Sequence, residues 1–158
     1  MAADYSSIRS ALATLVGAVA GITGGAGKVI TYRLHESRPD DFQAAAKGAA
    51  RLHLWEIYRE GVTDRQVETG LRAVTTHDIV VTGRYAVTGD GSASEAAFGT
   101  IIDAVINALR CNVTVWTLQP ESGPIEIRGF IRHDMYCGTL CHFCELRIGV
   151  DQITVLSS

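Results

Sequence analysis

The segment LCHFCELRIGVD, residues 140–151, decides the fold because its side chains follow a period of two residues. One set of alternate positions carries Leu140, His142, Cys144, Leu146, Ile148 and Val150, and the other carries Cys141, Phe143, Glu145, Arg147, Gly149 and Asp151. Successive side chains of an extended strand point to opposite faces of a sheet, so this period is typical of a β-strand. The segment therefore predicts a strand over Leu140–Gln152, with Cys141 and Cys144 on opposite faces.

Five further segments have the composition of β-strands. They are rich in β-branched and aromatic residues and lie between turn-forming stretches. These segments are Lys28–Leu34, Leu52–Tyr58, His77–Thr88, Val113–Leu118 and Ile125–Arg132. The last two flank Gln119–Pro124, which is rich in turn-forming residues and predicts a short connection between neighbouring strands.

Two segments have the three-and-four spacing of apolar residues that is typical of an amphipathic helix. The first opens the chain and is predicted to end at the glycines of Gly21–Gly27. The second begins at Ser92–Glu95, whose spacing matches a capping box, and is predicted to end near Arg110–Asn112. Their apolar stripes are Tyr5, Ile8, Leu12, Leu15, Val16 and Val19, and Ala97, Phe98, Ile101, Ile102, Val105, Ile106 and Leu109.

Together these elements predict an α+β fold with a mixed, largely antiparallel β-sheet and two helices packed on one face. The chain has 158 residues, of which 47% are hydrophobic and 20% charged, and this balance indicates a single domain over residues 1–158. The alanine-rich stretch Glu36–Gly48 lacks a strong apolar stripe and is predicted to be a loop or a short helical insertion.

The charge and the apolar runs limit the classes of partner. The formal net charge of −3 gives no bulk attraction to DNA or to an anionic membrane. The apolar stretch Ala11–Ile22 is shorter than the ~20 residues that a membrane-spanning helix needs. The acidic start Met1–Tyr5 differs from the basic start of a signal peptide, so we expect synthesis and retention in the cytoplasm.

Cys137, Cys141 and Cys144 form the most suggestive chemical motif. Their Cys-x3-Cys-x2-Cys spacing matches the one with which radical S-adenosylmethionine enzymes hold an iron–sulfur cluster. With His133 and His142 they also offer the ligand types of tetrahedral zinc. Both kinds of site need converging thiolates, whereas the predicted strand separates them. We therefore expect no metal and no cofactor. We also expect the Cys141→Ser and Cys144→Ser variants to keep any assembly that the protein forms, because these thiols act as packing groups.

Two other patterns in the sequence partly match those of enzymes. Gly21–Val29 is rich in glycine like a phosphate-binding loop, but its spacing is one residue too long and Val29 replaces the magnesium-binding Ser or Thr. No serine or cysteine lies in a nucleophile elbow, and the five histidines are scattered along the sequence. The sequence therefore predicts a protein without catalytic residues.

Charged residues are concentrated between Arg59 and Thr76, where few apolar residues occur. This stretch is too long for a hairpin turn and is predicted to be an exposed loop. Long exposed loops often carry function, so we expect it to contact a neighbouring subunit or another protein. The candidate interface residues are Arg59, Asp64, Arg65, Glu68 and Arg72.

Three stretches carry a resemblance to a known family. They are Ile8–Leu12 in the opening helix, Gly83–Val87 followed by Ser94–Phe98 and Ile101–Val105, and His133–Met135 followed by Leu140–Leu146. In these residues and in the order of its elements the chain resembles the tail terminator, or tail completion, proteins of long-tailed bacteriophages and related gene-transfer particles. The likeness spans most of the chain and contains no diagnostic signature.

The resemblance implies a virion protein of the neck and tail, whose small α+β subunit assembles into a ring, commonly a hexamer. Such a ring caps the head-proximal end of the tail tube and joins it to the neck. The implied partners are further copies of the chain, the tail tube protein and a neck connector or stopper protein, while genomic DNA passes through the lumen. The alternatives are a head–tail connector or stopper protein, and a small metal-binding protein built on the cysteines.

Overall fold

The computed structural model describes residues 4–33, 51–67, 72–111 and 128–155. Within these ranges the elements are α1 (Tyr5–Gly17), a 3-10 turn (Thr23–Gly25), β1 (Lys28–Ile30), β2 (His53–Val67), β3 (Arg72–Ala86), α2 (Ser92–Cys111), β4 (Arg128–Tyr136) and β5 (Thr139–Val155). The predicted insertion Glu36–Gly48, the predicted strand Val113–Leu118, the turn Gln119–Pro124 and Glu68 lie outside the described residues.

The five described strands form one sheet in the order β1-β2-β3-β5-β4. β1 runs parallel to β2, and the other three pairs of neighbours are antiparallel. The sheet is therefore mixed and largely antiparallel, and the chain has the predicted α+β fold. The period of two in residues 140–151 correctly predicted β5, which pairs along most of its length with β3.

Both helices lie on one face of the sheet. The buried side chains of α1 and α2 form a single apolar cluster with those of β2, β3 and β5. The helices contribute Ile8, Leu12, Val16, Phe98, Ile101, Ile102, Val105 and Leu109, and the strands contribute Trp55, Ile57, Ile79, Val81, Tyr85, Cys144, Leu146, Ile148 and Val150. We call this face the helix side. The opposite face, called the second face, has a smaller buried cluster of Ile30, Leu54, Tyr136 and Cys141.

Side chains fix the start of each helix. The carboxylate of Asp4 accepts hydrogen bonds from the amide and hydroxyl of Ser7, both at 2.8 Å, and these bonds lower the pKa of Asp4. At α2 the Asp90 carboxylate accepts a hydrogen bond from the amide of Ser92 at 3.0 Å. The predicted start of α2 is correct, but the capping-box bonds are replaced: the Ser92 amide donates to Asp90 instead of to Glu95, and the Glu95 amide donates to the Gly91 carbonyl at 2.9 Å.

Two predictions about the strands were wrong. Residues 59–67 and 72–76 were predicted to be a loop, but they are paired strand segments of the long β2–β3 hairpin. This part of β2 is exposed, so it lacks the alternating apolar pattern that reveals a half-buried strand. The strand predicted over Lys28–Leu34 ends at Ile30, because β1 pairs with β2 at three positions only. Neither described helix has the length and hydropathy needed to cross a membrane.

Candidate assembly interface

The far ends of β2, β3 and β5 form a three-stranded extension that we call the arm. It comprises Gly61–Val67, Arg72–Asp78 and Gly149–Val155, which are paired in seven successive rows. Seven rows at the rise of a β-strand span ~20 Å. The rest of the described sheet, together with α1 and α2, is called the body.

A change in the packing marks the boundary between body and arm. The helix-side core extends along β2 only to Ile57, along β3 to Ile79 and along β5 to Val150. Beyond Val150 the same face carries polar residues, among them Asp64, Thr75, Gln66 and Gln152. All side chains from Val62 to Gln66 on β2 are exposed.

Both edges of the arm are open among the described residues. β1 pairs with β2 only as far as Glu56, and β4 pairs with β5 only as far as Arg147. No described strand lies beside β2 or β5 along the arm. Unpaired strand edges present backbone donors and acceptors to other chains, so the arm offers two such edges.

The arm carries three of the predicted interface residues. Asp64 lies on the helix side, where its carboxylate accepts a hydrogen bond from the Thr75 hydroxyl at 2.9 Å. Arg65 and Arg72 are exposed. Because their positions differ from that of Asp64 by an odd number of paired rows, both lie on the second face. The structure therefore distributes these charges over both faces of the arm. Glu68 is among the residues outside the described part.

Arg59, the fourth described candidate, is engaged within the subunit instead. Its amide donates a hydrogen bond to the Tyr5 hydroxyl at 3.0 Å, and its guanidinium lies 4.3 Å from the centre of the Tyr5 ring. Its Nη1 atom also lies 3.4 Å from Nδ1 of His77. Arg59 therefore connects the start of α1 to the base of the arm. A β-bulge follows between Arg59 and Gly61.

A buried ion pair lies on the second face of the body, where sequence analysis identified no site. The carboxylate of Glu56 is paired with the guanidinium of Arg84 and accepts a hydrogen bond from the Thr82 hydroxyl at 3.0 Å. The guanidinium of Arg84 also lies 4.0 Å from the centre of the Tyr136 ring. The sequence held one sign of this ion pair, which is the position of Glu56 within the apolar run Leu52–Tyr58. A glutamate on a buried strand needs a cationic or hydrogen-bonding partner.

The three cysteines of the motif are separated, as predicted. Cys144 lies in the helix-side core and Cys141 in the cluster on the second face. Cys137 is exposed in the turn between β4 and β5. Burial raises the pKa of Cys141 to about 11 and that of Cys144 to about 12, so both thiols stay protonated at neutral pH. This arrangement does not form the convergent thiolate site that either metal hypothesis requires.

A buried serine–histidine contact resembles part of a catalytic dyad. Oγ of Ser94 lies 2.9 Å from Nε2 of His142 and 3.0 Å from the carbonyl oxygen of Gly91, and it accepts from the amide of Thr88 at 3.2 Å. The Ser94 hydroxyl has one proton, which goes either to the Gly91 carbonyl or to Nε2 of His142, depending on the tautomer of His142. In either case the contact fixes the start of α2 against β5.

No model of a known protein family matches the sequence, and no curated protein shows significant similarity to it.

Proposed function

We propose that the protein is a structural ring subunit of a bacteriophage neck, of the tail terminator kind. In this role it caps the head-proximal end of the tail tube, ends tube growth and joins the tail to the neck of the virion. The observation that carries the proposal is the arm, most of which extends beyond the helix-side core, with charges on both faces and, among the described residues, no strand beside either edge.

The arm suits a head-to-tail contact between subunits. A ring requires two different surfaces on each subunit, so that each copy uses one surface on its left and the other on its right. The β2 edge and the β5 edge of the arm are two such surfaces, and they differ in sequence and charge. The predicted interface residues Asp64 and Arg65 lie on the β2 strand, and Arg72 lies on the central strand β3.

The proposed partners follow from this position. Further copies of the chain, commonly six, form the ring, the tail tube protein binds one side, and a connector or stopper protein of the neck binds the other. Genomic DNA passes through the lumen. The net charge of −3 suits this passage, because a strongly basic lumen would bind phosphates and slow the DNA.

Electron microscopy of the purified protein, combined with light scattering, tests the proposal. We expect closed rings, and six copies of a 17.0 kDa chain give a particle of ~100 kDa. The rings should bind the end of tail tubes assembled from the tube protein of the same virus. A chain that stays a monomer at high concentration and in the presence of tubes would contradict the proposal.

A charge-reversed variant connects the ring to the arm. Asp64→Arg combined with Arg65→Asp keeps the net charge and reverses the two exposed charges of the β2 strand of the arm, so we expect loss of rings with a normal circular dichroism spectrum. The matched control reverses two exposed charges on α2, Asp103→Arg with Arg110→Asp, and should keep the rings. Rings that survive the arm reversal would exclude the arm as the contact.

A further inference from the structure

Among the described strands β4 lies at one edge of the sheet, and its outer edge is more regular than the edge of β2 where β1 ends. On β2 the bulge after Arg59 and the hydrogen bond from the Arg59 amide to Tyr5 interrupt the edge at the base of the arm. β4 pairs with β5 in an unbroken register from Arg128 to Tyr136 and contains no proline. Long, regular edge strands that carry apolar side chains attract a further strand.

The turn between β4 and β5 identifies which backbone groups point outward. Cys137 and Gly138 both have positive φ, of 48° and 76°, which is the geometry of a two-residue type I′ turn. Such a turn makes Tyr136 and Thr139 a hydrogen-bonded pair, and the pairing alternates from there. Met135 and Leu140 are therefore not hydrogen-bonded to each other. The carbonyl of Leu140 instead accepts a hydrogen bond from the amide of Val87 on the other side, at 2.9 Å.

By the same alternation, Gly129, Ile131, His133 and Met135 direct their N–H and C=O groups away from β5. The side chains of Ile131, His133 and Met135 lie on the helix side and are exposed. Ile131 is 62% exposed and Met135 60%, and Leu140 beside Met135 is 46% exposed. The outward backbone groups and the exposed apolar side chains thus belong to the same residues.

We propose that β4 pairs antiparallel with β4 of a second copy, about a two-fold axis at His133, so that two sheets join into one. In this register Ile131 faces Met135 of the second copy on the helix side, twice by symmetry. On the second face Arg132 faces Asp134 of the second copy, also twice. Both charged side chains are accessible, with 58% of Arg132 and 37% of Asp134 exposed, and within one subunit they form a loose ion pair of 3.9 Å that the dimer would exchange for contacts across the axis.

The sequence of β4 favours this register over its neighbours. An axis at Arg132 or at Asp134 would place like charges opposite each other and would pair residues whose backbone groups already bond to β5. An axis at Ile131 or at Met135 keeps outward-facing residues paired but loses both contacts between Arg132 and Asp134. Like charges directly opposite each other destabilise a strand pair, whereas opposite charges and apolar pairs stabilise it. The axis at His133 gives two opposite-charge pairs and two apolar pairs, and it pairs outward-facing residues with each other.

This dimer is independent of the proposed ring. A two-fold contact closes after two copies, whereas a ring uses head-to-tail contacts. The dimer also uses β4, at the edge of the body, and leaves the arm free. We therefore assign this dimer to subunits that are not part of a ring. In such subunits, pairing with a second copy covers the apolar edge of β4.

Disulfide cross-linking tests the register directly. In a Cys137→Ser background, His133→Cys places two thiols in a hydrogen-bonded pair, whose Cα atoms are ~5.5 Å apart and within disulfide range. We expect a dimer band on a non-reducing gel after mild oxidation. The control Met135→Cys places its two thiols four rows apart, ~13 Å, and should not cross-link. Equal cross-linking at both positions, or none at His133→Cys, would overturn the proposal.

Charge reversal tests the same pairing in solution. We measure the dissociation constant by sedimentation velocity in the arm-reversed background, Asp64→Arg with Arg65→Asp, which removes ring contacts from the measurement. Arg132→Asp or Asp134→Arg alone should raise the constant by about tenfold or more, because each creates two like-charge pairs. The two substitutions together should restore dimerisation. Single variants that dimerise as tightly as the parent, or a double variant that stays monomeric with a normal circular dichroism spectrum, would contradict the β4 pairing.

Discussion

The body and the arm are built from the same three strands but have different surroundings. In the body, Trp55 is fully buried and its ring lies 6.0 Å from that of Phe98, while in the arm Val62 on the same strand is 53% exposed. The body is stabilised by apolar packing, whereas the outer strand of the arm is ordered mainly by its hydrogen bonds to β3. Substitutions in the body should therefore change folding, and substitutions on the exposed arm should change contacts with partners.

The largest effect is expected for Trp55→Ala. The variant leaves a cavity beside Phe98 and removes the indole N–H that donates to Nε2 of His53 at 2.9 Å. Losing a buried tryptophan costs about 3–5 kcal/mol of unfolding free energy. Urea denaturation followed by circular dichroism measures this loss. The control Val62→Ala in the arm should change the unfolding free energy by less than about 0.5 kcal/mol. Equal losses in the two variants would show that the body and the arm do not differ in packing.

Two glycines give a second matched comparison. A Cβ atom at Gly83 in the body would lie 2.8 Å from Cη2 of Trp55 and 2.9 Å from Sγ of Cys144. A Cβ atom at Gly149 in the arm would meet only Cγ2 of Thr76, at 3.8 Å. Overpacking a core costs about 1–3 kcal/mol, so we expect Gly83→Ala to lose about 2–3 kcal/mol and Gly149→Ala to change little. Thermal unfolding of both variants measures the difference, and a Gly83→Ala protein of unchanged stability would mean that this part of the core has room.

The sequence was informative where the environment of a strand alternates. The period of two in residues 140–151 correctly placed Cys141 and Cys144 on opposite faces, and the apolar stripe from Phe98 to Leu109 correctly predicted α2. These predictions succeeded because one side of each element is buried against the rest of the body.

The sequence was uninformative where exposure depends on distant elements. Val62–Gln66 is a strand with exposed side chains, so charge and polarity suggested a loop. The exposure of Ile131 and Met135 depends on how far the helices extend over the sheet, which composition does not reveal. The partner of Glu56 is Arg84, 28 residues away, and the hairpin register that joins them is set by β2–β3 pairing.

Acid should destabilise the body through His53. This imidazole is buried, accepts from the Trp55 indole and is hydrogen-bonded to the backbone of Ala26, and burial lowers its pKa to about 4. The unfolded chain binds the proton near pH 6.5, so the stability is full above that pH and is lost as the pH falls towards 4. We expect a loss of roughly 2 kcal/mol over this window. The same titration of His53→Gln should lack this component, and parallel curves for both proteins would contradict the assignment.

The smallest effect on folding is expected for Asp64→Ala in the arm. The variant removes one exposed hydrogen bond, from the Thr75 hydroxyl, and should change the unfolding free energy by less than about 0.5 kcal/mol. If the arm makes the ring contact, the same variant should nevertheless weaken ring formation, measured as a higher concentration for half-assembly by light scattering. Thr75→Val removes the same hydrogen bond but keeps the carboxylate, so it distinguishes loss of the bond from loss of the charge. A ring that tolerates Thr75→Val and not Asp64→Ala would assign the effect to contact with a neighbour, whereas equal tolerance of both would confine the arm's role to the subunit itself.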